Sequence, residues 1–369
     1  MMKTYTLTFT GDVMLARIID QLYQTHIHDP STAAIADHFK EIFPTLSTGT
    51  YTPSSPWGTA LPLLRTSDLT LINLETAATT SPDPCPDKVF NYRMHPVNLA
   101  PILHAARVGY VGLANNHTLD FGVEGLLETV RTVRRTGIPF AGGGESDEEA
   151  CRPAVLKLGE EGSAYEVLVY AAADHPSEWS GVGGFHFIDY TFETRSRLKE
   201  LLMSGSARSK PSLKVFSVHW GPNYKWNPGE KIRELAHFLI DECEVDIVHG
   251  HSSHHVQGVE LYRGKLIIYG CGDFVDDYAL RDEYRNDLGA VWRVLVKEKD
   301  MENGKKRLLL DQLEVFPTRI ERFRAMLLGV DDGDHEWVRR KIGALSLELG
   351  TLVCEKIGSE DQIVVDINQ

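Results

Sequence analysis

The sequence lacks the features that would tie the protein to an oxidising compartment or to a lipid bilayer. Its five cysteines are widely spaced, odd in number and form no C-x-x-C pair, which is typical of reduced thiols in a cytosolic protein. No run approaches the roughly 20 apolar residues of a membrane span, and no signal region precedes the first predicted strand. We therefore expect a cytoplasmic protein without a membrane partner.

Basic residues are also in short supply. The 38 lysines and arginines face 52 acidic residues, which gives a net charge of -14. Such a chain should repel nucleic acid, and an anionic substrate would need local arginines or bound metal. A hydrophobic fraction of 42% predicts a globular protein with an ample core. We expect a small-molecule or peptide substrate with carboxylates, and the oligomeric state stays open.

Strands and helices alternate through most of the sequence, in the pattern of βαβ units. Apolar runs predict strands at 5–10, 69–73, 110–113, 213–219, 245–249, 256–262, 266–269 and 290–296. Apolar residues at helical spacing predict helices at 97–107, 123–136, 191–203 and 229–243. A polar turn at 159–162 is expected to join a strand pair at 154–158 and 165–171.

The two ends of the chain are less regular. Helical spacing at Leu15, Ile18, Ile19 and Leu22 predicts a helix over 13–23. Residues 25–60 are polar and rich in proline and glycine, which suits either a floppy insertion or the substrate-facing lid that we favour. After residue 300, strands at 307–316 and 363–367 and a helix at 334–349 are expected. We predict a catalytic domain at 1–300 and a carboxyl-terminal β/α elaboration at 301–369.

Side chains of metal-binding type lie at the ends of predicted strands or just beyond them. In α/β proteins the loops after the strands converge on one crevice, so residues far apart in sequence can meet there. We therefore expect one site to contain Asp12, Glu75, Asn116, His117, His219, His251 and His254.

A histidine-rich loop is the densest part of this pattern. Four histidines occur between residues 249 and 255, flanked by apolar strands. Neither core packing nor a solvated loop readily explains four imidazoles, whereas neutral imidazole is the commonest metal ligand. Elsewhere the alternatives stay open, because Asn116 also suits a helix cap, His219 a core position and Glu75 a surface acid.

Residues of other types are predicted to surround the metal ligands. Arginine recognises carboxylates through a fork of N–H groups, and aromatic rings can shield a site from water, although solvated surface charge explains an arginine equally well. The substrate-binding candidates are Tyr92, Arg93, Trp220 and Arg285. Acceptors that orient ligand imidazoles, or that cap helices instead, are Asp120 and Asp273, and we group Asn73 with them.

Six motifs in order resemble the CapA family of the poly-γ-glutamate capsule-synthesis type, which is related to the calcineurin-like metallophosphoesterases. They are Gly11-Asp12-Val13-Met14, Asn73-Leu74-Glu75, Asn115-Asn116-His117, His219-Trp220-Gly221, Gly250-His251-x-x-His254 and Gly270-x-Gly272-Asp273-Phe274. The resemblance implies an α/β fold, a four-layer αββα sandwich in which helices flank two mixed sheets with the metals at one edge.

The resemblance also implies roles for individual residues. Asp12, Glu75 and His254 would hold one divalent ion, and Glu75, Asn116, His219 and His251 the other, with His117 as proton donor. The ions, one or two in number, could be Mn, Zn, Fe, Ca or Mg. Phosphoesterases carry histidine where this chain has Met14, and a thioether cannot replace imidazole for a hard ion. This departure predicts a first metal that is weakly held, absent or different in kind, and it disfavours ordinary phosphatase activity.

The favoured hypothesis is metal-dependent hydrolysis of a γ-glutamyl-type or related amide bond in a carboxylate-rich substrate. His117, Asp12 and His219 are the catalytic candidates. A second hypothesis is a peptide epimerase, in which Asp12 and a histidine act as bases on opposite faces of an acidified α-carbon. A phosphoesterase and a non-catalytic subunit of polyglutamate synthesis are further alternatives.

Overall fold

The computed structural model describes residues 3–47, 49–86, 88–159, 165–204, 211–300 and 306–367. The strands are β1 (Thr4–Val13), β2 (Leu69–Leu74), β3 (Ala77–Ala78), β4 (Arg93–Met94), β5 (Tyr110–Gly112), β6 (Phe140–Ala141), β7 (Ala154–Leu158), β8 (Tyr165–Ala173), β9 (Leu213–His219), β10 (Ile247–His251), β11 (Val259–Tyr262), β12 (Lys265–Ile268), β13 (Asp273–Val275), β14 (Leu288–Asp300), β15 (Lys306–Ile320), β16 (Ala325–Leu327) and β17 (Ile363–Asp366). The helices are α1 (Pro30–Ile42), α2 (Leu61–Thr66), α3 (Pro96–Ala105), α4 (Gly122–Thr136), α5 (Asp147–Cys151), α6 (Phe192–Ser204), α7 (Glu230–Asp241) and α8 (Gly333–Glu348).

The first large sheet is built around the first strand of the chain. Its order is β16-β15-β14-β1-β2-β5-β6, with β13 also paired to β1 and β17 to β15. The strands β1, β2, β5, β6 and β13 run parallel, whereas β14 and β15 form a long antiparallel hairpin beside them. The hairpin spans the predicted domain boundary, whose residues 301–305 lie outside the described part of the chain. That division into domains stays a prediction.

The second large sheet has the order β11-β12-β10-β9-β8-β7 and is parallel through β8, β9, β10 and β12. Alternate residues of these strands face opposite ways, as strand geometry requires. Val215 and Ile247 join the core that also holds Leu7 and Phe9 of the first sheet, so this core lies between the sheets. On the other face, Phe216 packs in a cluster with residues of α6 and α7.

The mixed α/β class predicted from the sequence is confirmed, together with the mixed sheets. Most predicted helices and strands also occur within a few residues of their expected bounds. Residues 160–162 of the expected turn between β7 and β8 lie outside the described residues. The complete four-layer αββα arrangement stays a prediction.

The predicted helix at 13–23 is wrong. The backbone N–H of Ile18, which such a helix would use internally, donates instead to the carboxylate of Asp277, and Arg17 has a φ of 53°, outside the right-handed helical region. At the start of the segment, Met14 donates to the carbonyl of Val275 and Leu15 to the hydroxyl of Thr76. Apart from a short 3-10 turn at Asp20–Leu22, the segment is a loop. Its apolar side chains are buried in the main core, so the spacing reflected burial of a loop rather than one face of a helix.

The predicted lid segment has its own structure. It contains α1, and Tyr51 donates a hydrogen bond of 2.6 Å to the carbonyl of Phe323 near the turn between β15 and β16. Trp57 is fully buried and donates to the carbonyl of Ile102 in α3. These contacts attach much of the segment to the body of the protein, and its role as a lid stays a prediction.

Two expectations about the environment can be compared with the structure. The five cysteines form no disulfide. Among the described residues, no helix combines the length and the apolar character needed to cross a lipid bilayer.

A glycine contact beside Asp12 gives a test of the fold. A Cβ on Gly11 would lie 1.6 Å from the carbonyl oxygen of Gly272, so Gly11→Ala forces the backbone of β1 away from the β13 region. We expect the free energy of unfolding to fall by about 1–3 kcal/mol, the usual effect of overpacking.

Gly343→Ala in α8 is the matched control, because a Cβ there meets nothing within 4 Å. It should raise the free energy of unfolding by about 0.5–1 kcal/mol, as expected for alanine in a helix interior. Chemical denaturation measures both changes, and equal stability of the two variants would contradict the predicted close contact.

Candidate metal centre

Strand pairing brings the predicted ligands together. In the first sheet, Asp12 is in register with Asn73 of β2 on one side and with Asp273 of β13 on the other. In the second sheet, His219 at the end of β9 is in register with His251 at the end of β10. Because these strands are parallel, their carboxyl ends meet at one edge of the two sheets, as the sequence led us to expect.

The first candidate group consists of Asp12, His219 and His251, all buried, and one ligand atom of each lies within 4.8 Å of the others. The Nδ1 atom of His251 is 3.6 Å from Oδ1 of Asp12, and Nδ1 of His219 is 3.8 Å from the same oxygen. Nε2 of His219 is buried without a hydrogen-bond partner. Two imidazoles and a carboxylate in this arrangement suit a transition-metal ion.

The second candidate group shares Asp12 with the first and adds Glu75, His254 and Asp273, again within 4.8 Å of one another. Nδ1 of His254 lies 3.0 Å from a carboxylate oxygen of Asp273, an arrangement that leaves Nε2 of the same ring for a cation. Oε1 of Glu75 is buried and has no hydrogen-bond partner. Oxygen atoms therefore dominate this second group.

These buried charges are costly without a counter-ion. Burial raises the pKa of Glu75 well above its usual range, and the nearby carboxylates of Asp12 and Asp273 raise it further. Burial also lowers the pKa values of His219 and His251 well below the ordinary value, which keeps these imidazoles neutral. Unpaired carboxylate oxygens beside neutral imidazoles form the donor set that a divalent cation requires, so the residues present fit a metal.

The grouping differs in two ways from the one that the resemblance implied. Asp12 belongs to both groups, whereas Glu75 was expected to be shared. Asp273, expected to act only as a hydrogen-bond acceptor behind the ligands, lies within ligand distance itself. The amide oxygen of Asn116 is buried and has no hydrogen-bond partner, so it remains a candidate ligand outside these groups.

His117 lies beside the carboxylates and is held firmly. Its Nε2 is 3.6 Å from Oε1 of Glu75, and its Nδ1 is 2.6 Å from a carboxylate oxygen of Asp120. The ring stacks on Tyr92 with centroids 3.8 Å apart. Burial lowers the pKa of His117 to about 4, so the ring is neutral near pH 7 before any cation or substrate binds.

Asn73 connects the site to the sheet behind it. Its side-chain amide donates to Oδ1 of Asp12 at 2.7 Å, and its oxygen accepts from Asn115 at 3.1 Å. Asn115 in turn accepts a hydrogen bond from the backbone N–H of His117. This chain of amides fixes Asp12 and His117 relative to each other.

The predicted substrate-binding residues have different surroundings. Tyr92 is buried and supports His117, and Trp220 is buried with its indole N–H on the carbonyl of Tyr269. Arg285 pairs with Asp287 and with Asp334 of α8, so its guanidinium anchors the carboxyl-terminal helix. These ion pairs do not support the predicted role in binding substrate. Arg93 stacks over Phe121 and lines a separate cavity of about 210 Å³.

Three cations near the site were not among the predicted site residues. Lys88 bonds to Asp120 and lies 3.1 Å from Nδ1 of His117. Arg17 lies over the ring of Tyr92, and the exposed Arg281 stacks on Tyr224, whose own ring is 5.4 Å from that of His254. Nothing in the sequence spacing marks Arg17 or Lys88, whereas Arg281 belongs to the segment 281–285, in which the sequence shows two arginines.

A further cavity lies away from these residues. It has a volume of about 460 Å³ and lies against α5 and α6, with Cys151, His186 and Arg197 in its wall. It contains none of the predicted ligands.

Residues 6–278 match the model of a family described as bacterial capsule synthesis protein PGA_cap. The chain belongs to this family. It is 33% identical over 367 residues to a probable polyglutamine synthesis accessory protein of Mycobacterium tuberculosis, a match that covers 94% of this chain and 93% of that protein. It is 27% identical over 173 residues to the PGA biosynthesis protein CapA of Bacillus subtilis, covering 44% of this chain and 41% of that one.

A solved structure is also similar, though distantly. A Staphylococcus aureus protein described as a 5′-nucleotidase, in complex with alpha-ketoglutarate, aligns with a TM-score of 0.43 at 12% identity. The alignment covers 92% of this PGA_cap protein and 58% of the nucleotidase chain.

Asp12→Asn tests the shared position of Asp12. The substitution keeps the shape of the side chain but removes the charge common to both groups, so we expect divalent metal content to fall at both. Elemental analysis after dialysis against Mn²⁺ or Zn²⁺ measures the change. Asp241→Asn is the control, because Asp241 is on α7 and pairs with Arg263. This variant should retain wild-type metal content. Full metal content in Asp12→Asn would contradict the shared role.

Proposed function

We propose that this PGA_cap protein is a metal-dependent hydrolase that cleaves a γ-glutamyl-type or related amide bond in a carboxylate-rich substrate. The observation that carries the proposal is the position of His117, with Nε2 facing the buried carboxylates and Nδ1 held by Asp120. A ligand group alone would suit a structural metal, whereas an oriented imidazole beside it suits proton transfer.

Bound divalent cations would supply Lewis-acid activation of water and of the amide carbonyl. The residues that would hold them are Asp12, His219 and His251 in one group, and Glu75 and His254 in the other. The amide oxygen of Asn116, buried without a hydrogen-bond partner, would be a further ligand. The proposal includes one or two bound ions, each of which could be any of the divalent metals named above.

His117 would move the proton. In the neutral ring that donates from Nδ1 to Asp120, Nε2 accepts a proton from the attacking water and then delivers it to the leaving nitrogen. Tyr92 holds the plane of the ring by stacking, and Lys88 holds Asp120 and the backbone carbonyl of Asn116. The ring therefore needs no reorientation between accepting and delivering the proton.

Charge near the site supports an acidic substrate. Although the whole chain carries a net charge of -14, Arg17, Lys88 and Arg281 surround the candidate metal centre. Arg17 and Lys88 are already paired with Asp277 and Asp120, so a substrate carboxylate that reaches this region would meet the exposed Arg281, which can form a charge-assisted hydrogen bond with it.

A non-catalytic accessory role is the second candidate. Its support is the name of the Mycobacterium tuberculosis relative, a probable polyglutamine synthesis accessory protein, which is similar over nearly its whole length. In this case the metals would stabilise a docking component of a polymer-synthesis assembly.

An epimerase would instead incorporate solvent deuterium at a substrate α-carbon, and a phosphoesterase would cleave a chromogenic phosphodiester. The cytoplasmic location expected from the sequence stays a prediction.

His117→Gln separates catalysis from metal binding. Because His117 is outside both ligand groups, we expect wild-type metal content, with a kcat on γ-glutamyl peptides lower by about 10²- to 10⁴-fold. His38→Gln on the surface of α1 is the control and should leave kcat unchanged. If metal-loaded wild-type protein cleaves no amide in a panel of γ-glutamyl and other acidic peptides, the hydrolase proposal is wrong and the accessory role gains support.

Arg281→Gln tests recognition of the acidic substrate. We expect KM for a carboxylate-rich peptide to rise about tenfold, the loss of roughly one charge-assisted hydrogen bond, with kcat little changed. Arg263→Gln is the matched control. Arg263 is an exposed arginine on the turn between β11 and β12, where it pairs with Asp241 of α7. An equal rise of KM in both variants would indicate long-range charge rather than contact by Arg281.

A further inference from the structure

Two buried carboxylates lie next to each other at the end of β13. The side chains of Asp273 and Asp276 are within hydrogen-bonding reach of one another, and they are 0% and 4% exposed. One oxygen of Asp276 accepts the backbone N–H of Tyr278 at 2.9 Å, while its Oδ2 is buried and has no donor. When ionised, two carboxylates offer only acceptors to each other, so this contact requires a shared proton or a cation.

The surroundings of this pair are rich in oxygen. Asp273 belongs to the ligand group with Asp12, Glu75 and His254, and Glu75 presents a second buried oxygen without a partner. A cation among these oxygens would satisfy them.

Met14 explains why carboxylates are needed here. The phosphoesterase pattern has an imidazole at this position, but the thioether Sδ of Met14 accepts the backbone N–H of Ala16 at 3.1 Å. The side chain is fully buried in a cluster with Tyr92 and is packed against Tyr278. It is therefore occupied as a packing residue, and a cation in the second group must take its ligands from His254 and the carboxylates.

We propose that Asp273 and Asp276 complete an oxygen-rich cation position with Asp12, Glu75 and His254, which takes a hard ion such as Mn²⁺, Mg²⁺ or Ca²⁺. The group of Asp12, His219 and His251, with its two imidazoles, takes Zn²⁺ or another borderline ion. Carboxylate oxygens select hard ions, and imidazoles select softer ones. This inference rests on the proposed function, since it gives the metal centre two unlike positions.

The test is metal binding by the intact, chelator-treated protein, with Mn²⁺ and Zn²⁺ as probes. Electron paramagnetic resonance of free Mn²⁺ gives affinity, and elemental analysis gives stoichiometry. Wild-type protein given one equivalent of Zn²⁺ and an excess of Mn²⁺ should retain one ion of each, because Zn²⁺ binds most N/O sites more tightly than Mn²⁺ and must be kept limiting. Asp276→Asn should lose Mn²⁺ affinity at least about tenfold while keeping Zn²⁺, a loss within the usual range for residues that support a metal site.

Asp277→Asn is the matched control. It is the next residue along the chain, and its side chain is also buried with one oxygen, Oδ1, that has no donor. Its charge is compensated by Arg17, however, and its Oδ2 accepts the backbone N–H of Ile18 at 2.9 Å. It should retain Mn²⁺ affinity. Without metal, Asp276→Asn should melt at or above the wild-type temperature, because the neutral amide removes repulsion with Asp273 and can donate to it.

Several outcomes would overturn the inference. Unchanged Mn²⁺ affinity in Asp276→Asn would mean that only a proton joins the two carboxylates. Wild-type protein that binds no Mn²⁺ beside one equivalent of Zn²⁺ would also reject it, and this measurement needs no variant. In either case the proposed hydrolase could still stand, whereas wild-type protein that binds no divalent ion at all would overturn both proposals.

Discussion

Uncompensated charge at one edge of the paired strands is the constraint on which the centre of this protein depends. Asp12, Glu75 and Asp273 are carboxylates with almost no exposure to water, and the imidazoles beside them are kept neutral by burial. Removing a carboxylate from water is expensive unless a positive charge compensates it. Packing and strand pairing hold these groups together, and a bound cation would offset the free-energy cost of burying their charges.

The sequence predicted much of this arrangement because strand ends are readable from sequence. Asp12, Glu75 and His219 each follow an apolar run, and parallel pairing then places the ends of those runs together. The mixed α/β class follows from the same alternation of elements. The chain's membership of the PGA_cap family agrees with the order of the motifs.

Other features could not be predicted, for identifiable reasons. The loop after β1 has helical apolar spacing, but the long-range hydrogen bond from Ile18 to Asp277 replaces an internal helical bond, and periodicity does not report such bonds. Arg285 has the chemistry of a substrate-binding residue, yet its guanidinium is paired with two acids. Asp287 is nearby in sequence, but Asp334 is distant and could not be anticipated. Lys88 and Asp276 carry no signal at all, because their importance comes only from what the fold places beside them.

The pairing of β1 has a consequence for how the protein is made. This strand is translated long before its antiparallel neighbour β14, which begins at Leu288. Until β14 is made, one edge of Thr4–Val13 lacks its partner, and an unpaired strand edge is a surface on which chains aggregate. The pairing of Asp12 with Asp273 also needs late residues, so the same part of the chain closes the sheet edge and completes the ligand group.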